Sequence, residues 1–537
     1  MNHFTGAEMD NSTDSVKKLT GAAGLVMFGT LLSRITGFLR SVLITTQMLP
    51  AGYSDEFILA FTLPDLVYDL LAGGAIAAAL VPILSTYLAK GKEKAGWKAV
   101  STFMNLSFIL VLVLEIIFFI FTDSLLVIFA SGYKDGASGN RDLVIRLTRI
   151  LLLNAPFMML AGQINGILNS YRRFAVAAFG PVVYNICTII SIALFGAKSA
   201  ELTAWGVVIG GAVFFAIQFT GAFRHFTNYR PKLFLRSPIF HELIRQAIPS
   251  LISSTIIEIN IIISRSYATF YESGMVTVLN NANRTWQLPL GIFAQSIGIA
   301  LLPTLSEHYA KDDPDEFKKV LYKGLRVVFL LSFATSLLMM ILSADIMRIL
   351  FKWGASGNEY DVFYGGLCLM AYSSTLVFSS MIAMMTRAFY SVHNSKTPMF
   401  GGLLGIIILY LLNIFFRNAT GIGVAGTALA YSMSQFVIMM IYMLMFRKKT
   451  GIDIITDNFG YIVKAVIGGI PAGLAAYGLS VLIRPDVNSK ISQIAAICVP
   501  VAGGLAIFWF ILLKLRVGEI RFINDMVLSK IRKIIKA

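Results

Sequence analysis

Residues 79–94 read ALVPILSTYLAKGKEK, and residues 300–315 read ALLPTLSEHYAKDDPD. Pro82 pairs with Pro303, Ser85 with Ser306 and Lys90 with Lys311, each 221 positions apart. Residues 169–180 (NSYRRFAVAAFG) and 390–401 (YSVHNSKTPMFG) carry a second echo, in which Ser170 pairs with Ser391 and Phe179 with Phe400. The offset is again 221, and two echoes at one spacing argue for duplication of a large unit. Each copy holds about six apolar runs of membrane-crossing length. An even number brings both copies into the bilayer in the same sense. Parallel repeats of this kind flank a central path and rock against each other, which is transporter architecture.

The composition supports a polytopic membrane protein. The 537 residues are 56% hydrophobic and only 14% charged, with a mean hydropathy of +0.74. A soluble domain needs more charge than this to cover its surface. Apolar runs fall near 20–48, 56–89, 99–130, 143–170, 174–196, 202–223, 246–271, 276–310, 324–350, 361–390, 397–416, 422–446, 459–483 and 491–515. The expected fold is therefore all-α, with about fourteen transmembrane helices in two six-helix lobes plus an extra C-terminal helix pair.

The loops alternate in charge. KGKEKAGWK (90–98), YRR (171–173), RHFTNYRPKLFLR (224–236), KDDPDEFKKVLYKGLR (311–326), HNSK (393–396) and RKK (447–449) fall on one side with both termini. PAGYSD (50–55), SGYKDGASGN (131–140) and KWGASGNEY (352–360) fall on the other and hold few cations. The positive-inside rule places both termini in the cytoplasm. It also explains the net charge of +16 without any nucleic-acid partner. The expected divisions are a cytoplasmic segment 1–19, an N-lobe 20–226, a linker 227–245, a C-lobe 246–447, helices 13 and 14 over 448–516, and a basic cytoplasmic tail 517–537. The charged start leads into a full-length span without a cleavage site, unlike a signal peptide. The tail, with Lys530, Arg532, Lys533 and Lys536, reads either as an amphipathic helix on the inner leaflet or as a solvated end.

Charges inside apolar spans mark the candidate site. SRITGFLR, residues 33–40, places Arg34 and Arg40 in the first span. At about 100° per residue, Thr30, Ser33, Arg34, Gly37, Arg40 and Ser41 share an arc of about 120°. Leu31, Ile35, Phe38, Leu39, Val42 and Leu43 cover the opposite side. Such a stripe faces something other than lipid, because an arginine at mid-bilayer costs several kcal/mol or more. It either lines an anion-binding cavity or pairs with Asp55, Asp65 and Asp69 on the second helix. In the second lobe Arg284 stands among Asn280, Asn281 and Asn283, and Glu258 is an intramembrane carboxylate. Glu258 could bind a coupling cation, carry a proton or neutralise an arginine. Arg265 is expected near the outer interface, and Glu115 has no partner legible in the sequence. Cys187, Cys368 and Cys498 read as small core residues. The histidines His3, His225, His241, His308 and His393 show no metal-ligand spacing, and there is neither a Walker A loop nor a nucleophilic triad, so an enzyme is not expected and no cofactor is implied.

SRITGFLR, SDEFILAFTLPDL, ALVPILSTY, GILNSYRRF, LPLGIFAQSIGIALLPTLS and FYSVHNSKTP, in that order, resemble the MurJ (MviN) family of lipid II flippases. That family belongs to the multidrug/oligosaccharidyl-lipid/polysaccharide exporter superfamily. The resemblance runs from about Leu19 through the twelfth helix. It implies that Arg34, Arg40 and Arg284 match essential cavity arginines, and that Ser33 and Asp55 match positions of functional importance. It implies lipid II (an undecaprenyl-diphosphate-linked disaccharide-peptide) as substrate, moved from inner to outer leaflet by alternating access in a bacterial cell membrane. Guanidinium forks suit diphosphate oxygens because they bind bidentately and stay charged. Helices 13 and 14 would offer a groove for the polyprenyl tail. The bilayer's phospholipids and cell-wall synthesis enzymes are the other expected partners, and a coupling cation or the membrane potential is the expected energy source. The chain departs from the family at Tyr68, Asp69, Gly73 and Asn283, where a cavity arginine, a basic residue, a glutamate and an aspartate are common. The competing readings are an exporter of another lipid-linked oligosaccharide and a non-transporting scaffold of envelope assembly.

Overall fold

The structure is a computed structural model that describes residues 25, 28–71, 76–134, 139–352, 359–394, 396–483 and 490–520. The expectations for residues 1–19, for Gly73 and for the tail beyond residue 520 concern residues outside these. Every described element is helical. In chain order the helices are α1 (28–43), α2 (Ser54–Ala60), α3 (Thr62–Leu71), α4 (Val81–Ala89), α5 (Glu93–Phe129), α6 (Arg141–Leu152), α7 (Ala155–Ser170), α8 (Phe174–Phe195) and α9 (Ala200–Ala222). They continue as α10 (Pro238–Ala268), α11 (Met275–Ala310), α12 (Pro314–Ile341), α13 (Ser343–Phe351), α14 (Glu359–Ser391), α15 (Lys396–Ala419), α16 (Ala425–Thr450), α17 (Ile454–Leu482) and α18 (Lys490–Lys514).

Among the described residues, 12 helical segments are long and apolar enough to cross a membrane. They correspond one to one with the third through fourteenth expected spans. The first two do not meet that criterion, so the count of fourteen is not reached by it. The first span is described only from residue 25 onward, and α1 ends in a π-helical turn, Ile44–Met48. The second is in pieces: α2 and α3 separated at Phe61, then a π-helical segment Ile76–Leu80 before α4. Wide π turns are rare and concentrate at functional sites. Here they fall on the two helices that carry Arg34, Arg40 and Asp55.

The chain divides into two compact units, Met1–Ile262 and Ile263–Ala537. The first is organised around Leu80, Leu84, Trp97, Val100, Ile164, Ile167 and Leu168. The second is built on Leu305, Leu321, Met385, Ala388, Phe389 and Phe446. At 221 positions apart, Leu84 and Leu305, Ile164 and Met385, and Leu168 and Phe389 are all buried. The backbone repeats with the same offset. Gly91 and Asp312 take left-handed φ of +67° and +53°, and Arg172 and His393 take +59° and +55°. Each closes a helix end by a matching bond: Lys92 N donates to Tyr87 O (2.9 Å) and Asp313 N to His308 O (3.1 Å). Arg173 N donates to Leu168 O (2.8 Å) and Asn394 N to Phe389 O (2.9 Å). This left-handed closure satisfies the last carbonyls and turns the chain sharply. The duplication is thus written in turns and core as well as in letters.

In the second unit, α17 and α18 pack on α12 through Leu330, Ala334, Ala465, Ala472, Phe508 and Leu512. Arg326 fastens one end of this packing. Its Nε donates to Asn458 Oδ1 at 2.7 Å, and its guanidinium lies over the rings of Tyr461 (5.2 Å) and Tyr322 (5.8 Å). Cys368 is buried and Cys187 half-buried, whereas Cys498 is exposed on α18, which corrects the expectation of a core thiol there.

Candidate functional site

Helix α1 presents its large apolar residues outward, with Leu31, Ile35 and Leu39 all about half exposed. Its small residues meet α8. A Cβ on Gly29 would come within 2.6 Å of Ala178 Cβ, and one on Gly37 within 3.5 Å of Asn185 Nδ2. Asn185 donates to the Ser33 carbonyl (3.1 Å) and to Thr36 Oγ1 (3.4 Å). Small residues let transmembrane helices approach closely, and amides hydrogen-bond across the gap. The small, polar stripe expected from the sequence therefore has two functions. Gly29, Gly37 and the Ser33 carbonyl seat the helix on α8, while Arg34 is exposed.

Arg40 is half-buried, and its guanidinium stands 6.0 Å from the ring centroid of Tyr184 on α8. Tyr184 lies within electrostatic reach of both Arg40 and Asp65, and Asn154 Nδ2 donates to its hydroxyl at 3.4 Å. Among the described residues, neither Arg34 nor Arg40 forms an ion pair. The π face of Tyr184 supports the Arg40 cation without neutralising it, so the charge remains available to an anion.

Asp55 and Glu56 are buried in the first turn of α2. Glu56 Oε1 accepts from the Asn140 backbone N–H at 2.9 Å and from Tyr133 Oη at 3.5 Å, which ties α2 to the start of α6. Asp55 lies beyond the π turn that ends α1, separated from Arg34 by roughly 20 Å of helix rise. Tyr68 packs with Val67, Val111, Ala155 and Met159. A Cβ on Gly162 would lie 3.2 Å from its hydroxyl. The Asp69 carbonyl accepts from Ser254 Oγ at 3.1 Å. Glu258 on α10 is buried. Glu115 is half-buried on α5 with one carboxylate oxygen enclosed and lacking a hydrogen-bond partner.

In the second unit, Arg284 is half-buried on α11. Its neighbour Asn283 is occupied within the helix, accepting from Trp286 Nε1 (2.8 Å) and Gln287 Nε2 (3.0 Å). Arg265, expected near the outer interface, lies in the last turn of α10 and is buried, with Nε and one terminal nitrogen lacking partners among the described residues. Sequence reading missed Arg387, which is half-buried on α14 with its Cγ 3.5 Å from where a Gly298 Cβ would stand. A charge inside the expected span 361–390 was the available signal.

A model of the family described as "Lipid II flippase MurJ" matches residues 47–490. A protein named "Lipid II flippase MurJ" from Burkholderia cenocepacia is 29% identical over 433 residues, covering 78% of this chain and 82% of that one. A "Probable lipid II flippase MurJ" from Borreliella burgdorferi is 27% identical over 451 residues, covering 83% and 87%. The fold resembles a solved "Lipid II flippase MurJ, inward closed conformation" with a TM-score of 0.72 at 21% identity, over 92% of this chain and all of that one. It also resembles an inward-facing multidrug resistance MATE family transporter, with a TM-score of 0.64 at 17% identity, over 77% and 94%. With a family model matching residues 47–490, this multi-pass membrane chain belongs to the lipid II flippase MurJ family.

Proposed function

We propose that the chain flips lipid II, carrying its diphosphate-linked headgroup from the inner to the outer leaflet by alternating access, with both termini in the cytoplasm. The observation that carries this reading is Arg34: an exposed arginine on the polar stripe of a membrane-length apolar run, with no counter-ion among the described residues. Such a cation needs a water-filled path or an anionic ligand. A diphosphate supplies oxygens in the geometry a guanidinium fork prefers. Arg40, held beside Tyr184, and Arg284 on α11 are the further candidate ligands. Ser33 and Asp55 act on this site indirectly: position 33 through its backbone carbonyl, which accepts from Asn185, and Asp55 from the outer end of the helix. Glu258 is the candidate for coupling to a cation or proton. Lobes spanning 20–226 and 246–447 would rock about the linker 227–245. Contacts with cell-wall synthesis enzymes would couple delivery to use.

The test is rescue of a bacterium depleted of its own flippase, with lipid II scored in the outer leaflet. Wild type is expected to rescue, and Arg34→Ala is not. Arg34→Lys is expected to fall between, because a lysine keeps the charge but loses the bidentate fork. Full flipping by a variant lacking Arg34, Arg40 and Arg284 together would overturn the proposal.

A further inference from the structure

The segment between α9 and α10 is a fixed shelf rather than a free linker. Its Arg230 N donates to Ser101 Oγ (3.1 Å) and its Phe234 N to Thr102 Oγ1 (3.0 Å). Asn105 Nδ2 donates to the carbonyls of Arg230 (3.0 Å) and Lys232 (3.2 Å), and Tyr229 Oη donates back to Asn105. Ser101, Thr102 and Asn105 lie on one face of α5, so the strap is pinned at a defined height on that helix. The exposed apolar surface of α5 begins just above, at Phe108, Ile109 and Leu110. That is about 5 Å further along the axis. The strap therefore lies where hydrocarbon gives way to lipid headgroups.

Its side chains suit that level. Leu233 and Leu235 are 44% and 47% exposed, and Phe223 just before the strap is 63% exposed. Between and beside them Arg224, Arg230, Lys232 and Arg236 are exposed, as is Lys98, whose Nζ stands 5.8 Å from the Phe234 ring centroid. None of these five cations forms an ion pair among the described residues, and no acidic residue occurs from Arg224 to Phe240. The nearest downstream carboxylate, Glu242 on α10, is followed by Arg245.

We infer that the strap 229–237, with Lys98 and Arg224, is a binding surface for anionic glycerophospholipids of the inner leaflet. The phosphates meet Arg230, Lys232 and Arg236, while Leu233 and Leu235 enter the acyl region. Paired anchoring of this sort, apolar insertion plus cations at the phosphate plane, is how interfacial segments select anionic membranes. The inference rests on the membrane location alone and is independent of the substrate.

The test uses the purified full-length chain in nanodiscs of phosphatidylcholine with a minor fraction of phosphatidylglycerol, and reads retained lipid by native mass spectrometry. The wild type is expected to retain phosphatidylglycerol preferentially. Each cation near a charged membrane surface changes affinity about fivefold, so Arg230→Gln/Lys232→Gln/Arg236→Gln should lose most of the preference. The control Lys90→Gln/Lys92→Gln/Lys94→Gln removes as many charges from the foot of α5, roughly 15 Å below the strap, and should retain it. Equal losses in the two triple variants would reduce the strap to a general basic rim and overturn the inference. No loss in the strap variant would overturn it as well. Should the triple variant fold poorly by thermal unfolding, the single exposed change Lys232→Gln decides: a fall of about fivefold supports the site, and unchanged retention refutes it.

Discussion

Two glycines on α1, on either side of Arg34, should respond oppositely to the same substitution. A Cβ on Gly29 would meet Ala178 Cβ at 2.6 Å, with the Ala178 carbonyl oxygen and carbon at 3.1 and 3.2 Å. Ordinary contact begins near 3.4 Å, and backbone atoms cannot rotate aside, so α1 must retreat from α8. Overpacking of this kind costs about 1–3 kcal/mol, against a gain of about 1 kcal/mol from replacing glycine by alanine in a helix. At Gly37 the nearest atom is Asn185 Nδ2 at 3.5 Å, already an ordinary contact. There only the gain remains. The two variants should therefore differ by about 2 kcal/mol, read as a lower unfolding temperature in detergent for Gly29→Ala than for Gly37→Ala. Rescue of flippase-depleted cells should follow the same order, because Arg34 moves with the helix. If Gly37→Ala proved the more damaging, or Gly29→Ala raised the unfolding temperature, the contact that seats α1 on α8 would be wrong.

The neighbouring bond gives a second expectation. Asn185→Leu removes the donor to Ser33 O and Thr36 Oγ1, which should cost about 0.5–1.5 kcal/mol in thermal unfolding and impair rescue, while Asn185→Gln should impair it less. The repeated turns give a third: Arg172→Gly relieves a left-handed φ of +59° and should stabilise by about 1 kcal/mol, whereas Gly91→Ala at +67° should destabilise by a similar amount. A fourth concerns Arg326, whose contacts to Asn458, Tyr461 and Tyr322 need a planar fork. Arg326→Lys should lower the unfolding temperature and increase proteolysis at the Gly451–Asp453 turn, and unchanged proteolysis would refute its fastening role.

The sequence resolved whatever rests on continuous apolar runs and failed where a helix is broken. The twelve later spans were legible because each is one apolar run of sufficient length. The second was expected to be a single helix over 56–89, but it is interrupted at Phe61 and ends in a π segment before α4. Composition cannot reveal a widened turn, since the residues stay apolar. Two other runs split for similar reasons. The run 143–170 breaks at Leu153–Asn154, where Pro156 starts the next helix, and 324–350 breaks at Leu342. The candidate arginines were legible because charge in an apolar span is conspicuous. Their surroundings were not. A helical wheel gives Ser33, Gly37 and Arg34 the same arc, and only Asn185 and Ala178 on a distant segment show that the small residues seat the helix. Arg387 escaped because it lies near the basic stretch 393–396 and resembles an ordinary positive-inside charge.

The repeat separates what duplication preserved from what the substrate demanded. Core pairs such as Leu84 with Leu305, and turn pairs such as Arg172 with His393, keep burial and backbone conformation across 221 positions. The cations do not follow. Positions 221 residues from Arg34 and Arg40 are Thr255 and Ile261, and those from Arg284 and Arg387 are Leu63 and Gly166. Two halves that rock as equivalents need the same turns and cores, because those set helix length and packing. A lipid with a charged head and an apolar tail has no such symmetry, so cations that hold it have no reason to repeat. Charge that breaks the duplication is therefore the more informative mark of a candidate binding site, and by that criterion Arg387 joins Arg34, Arg40 and Arg284 as a residue for the rescue assay.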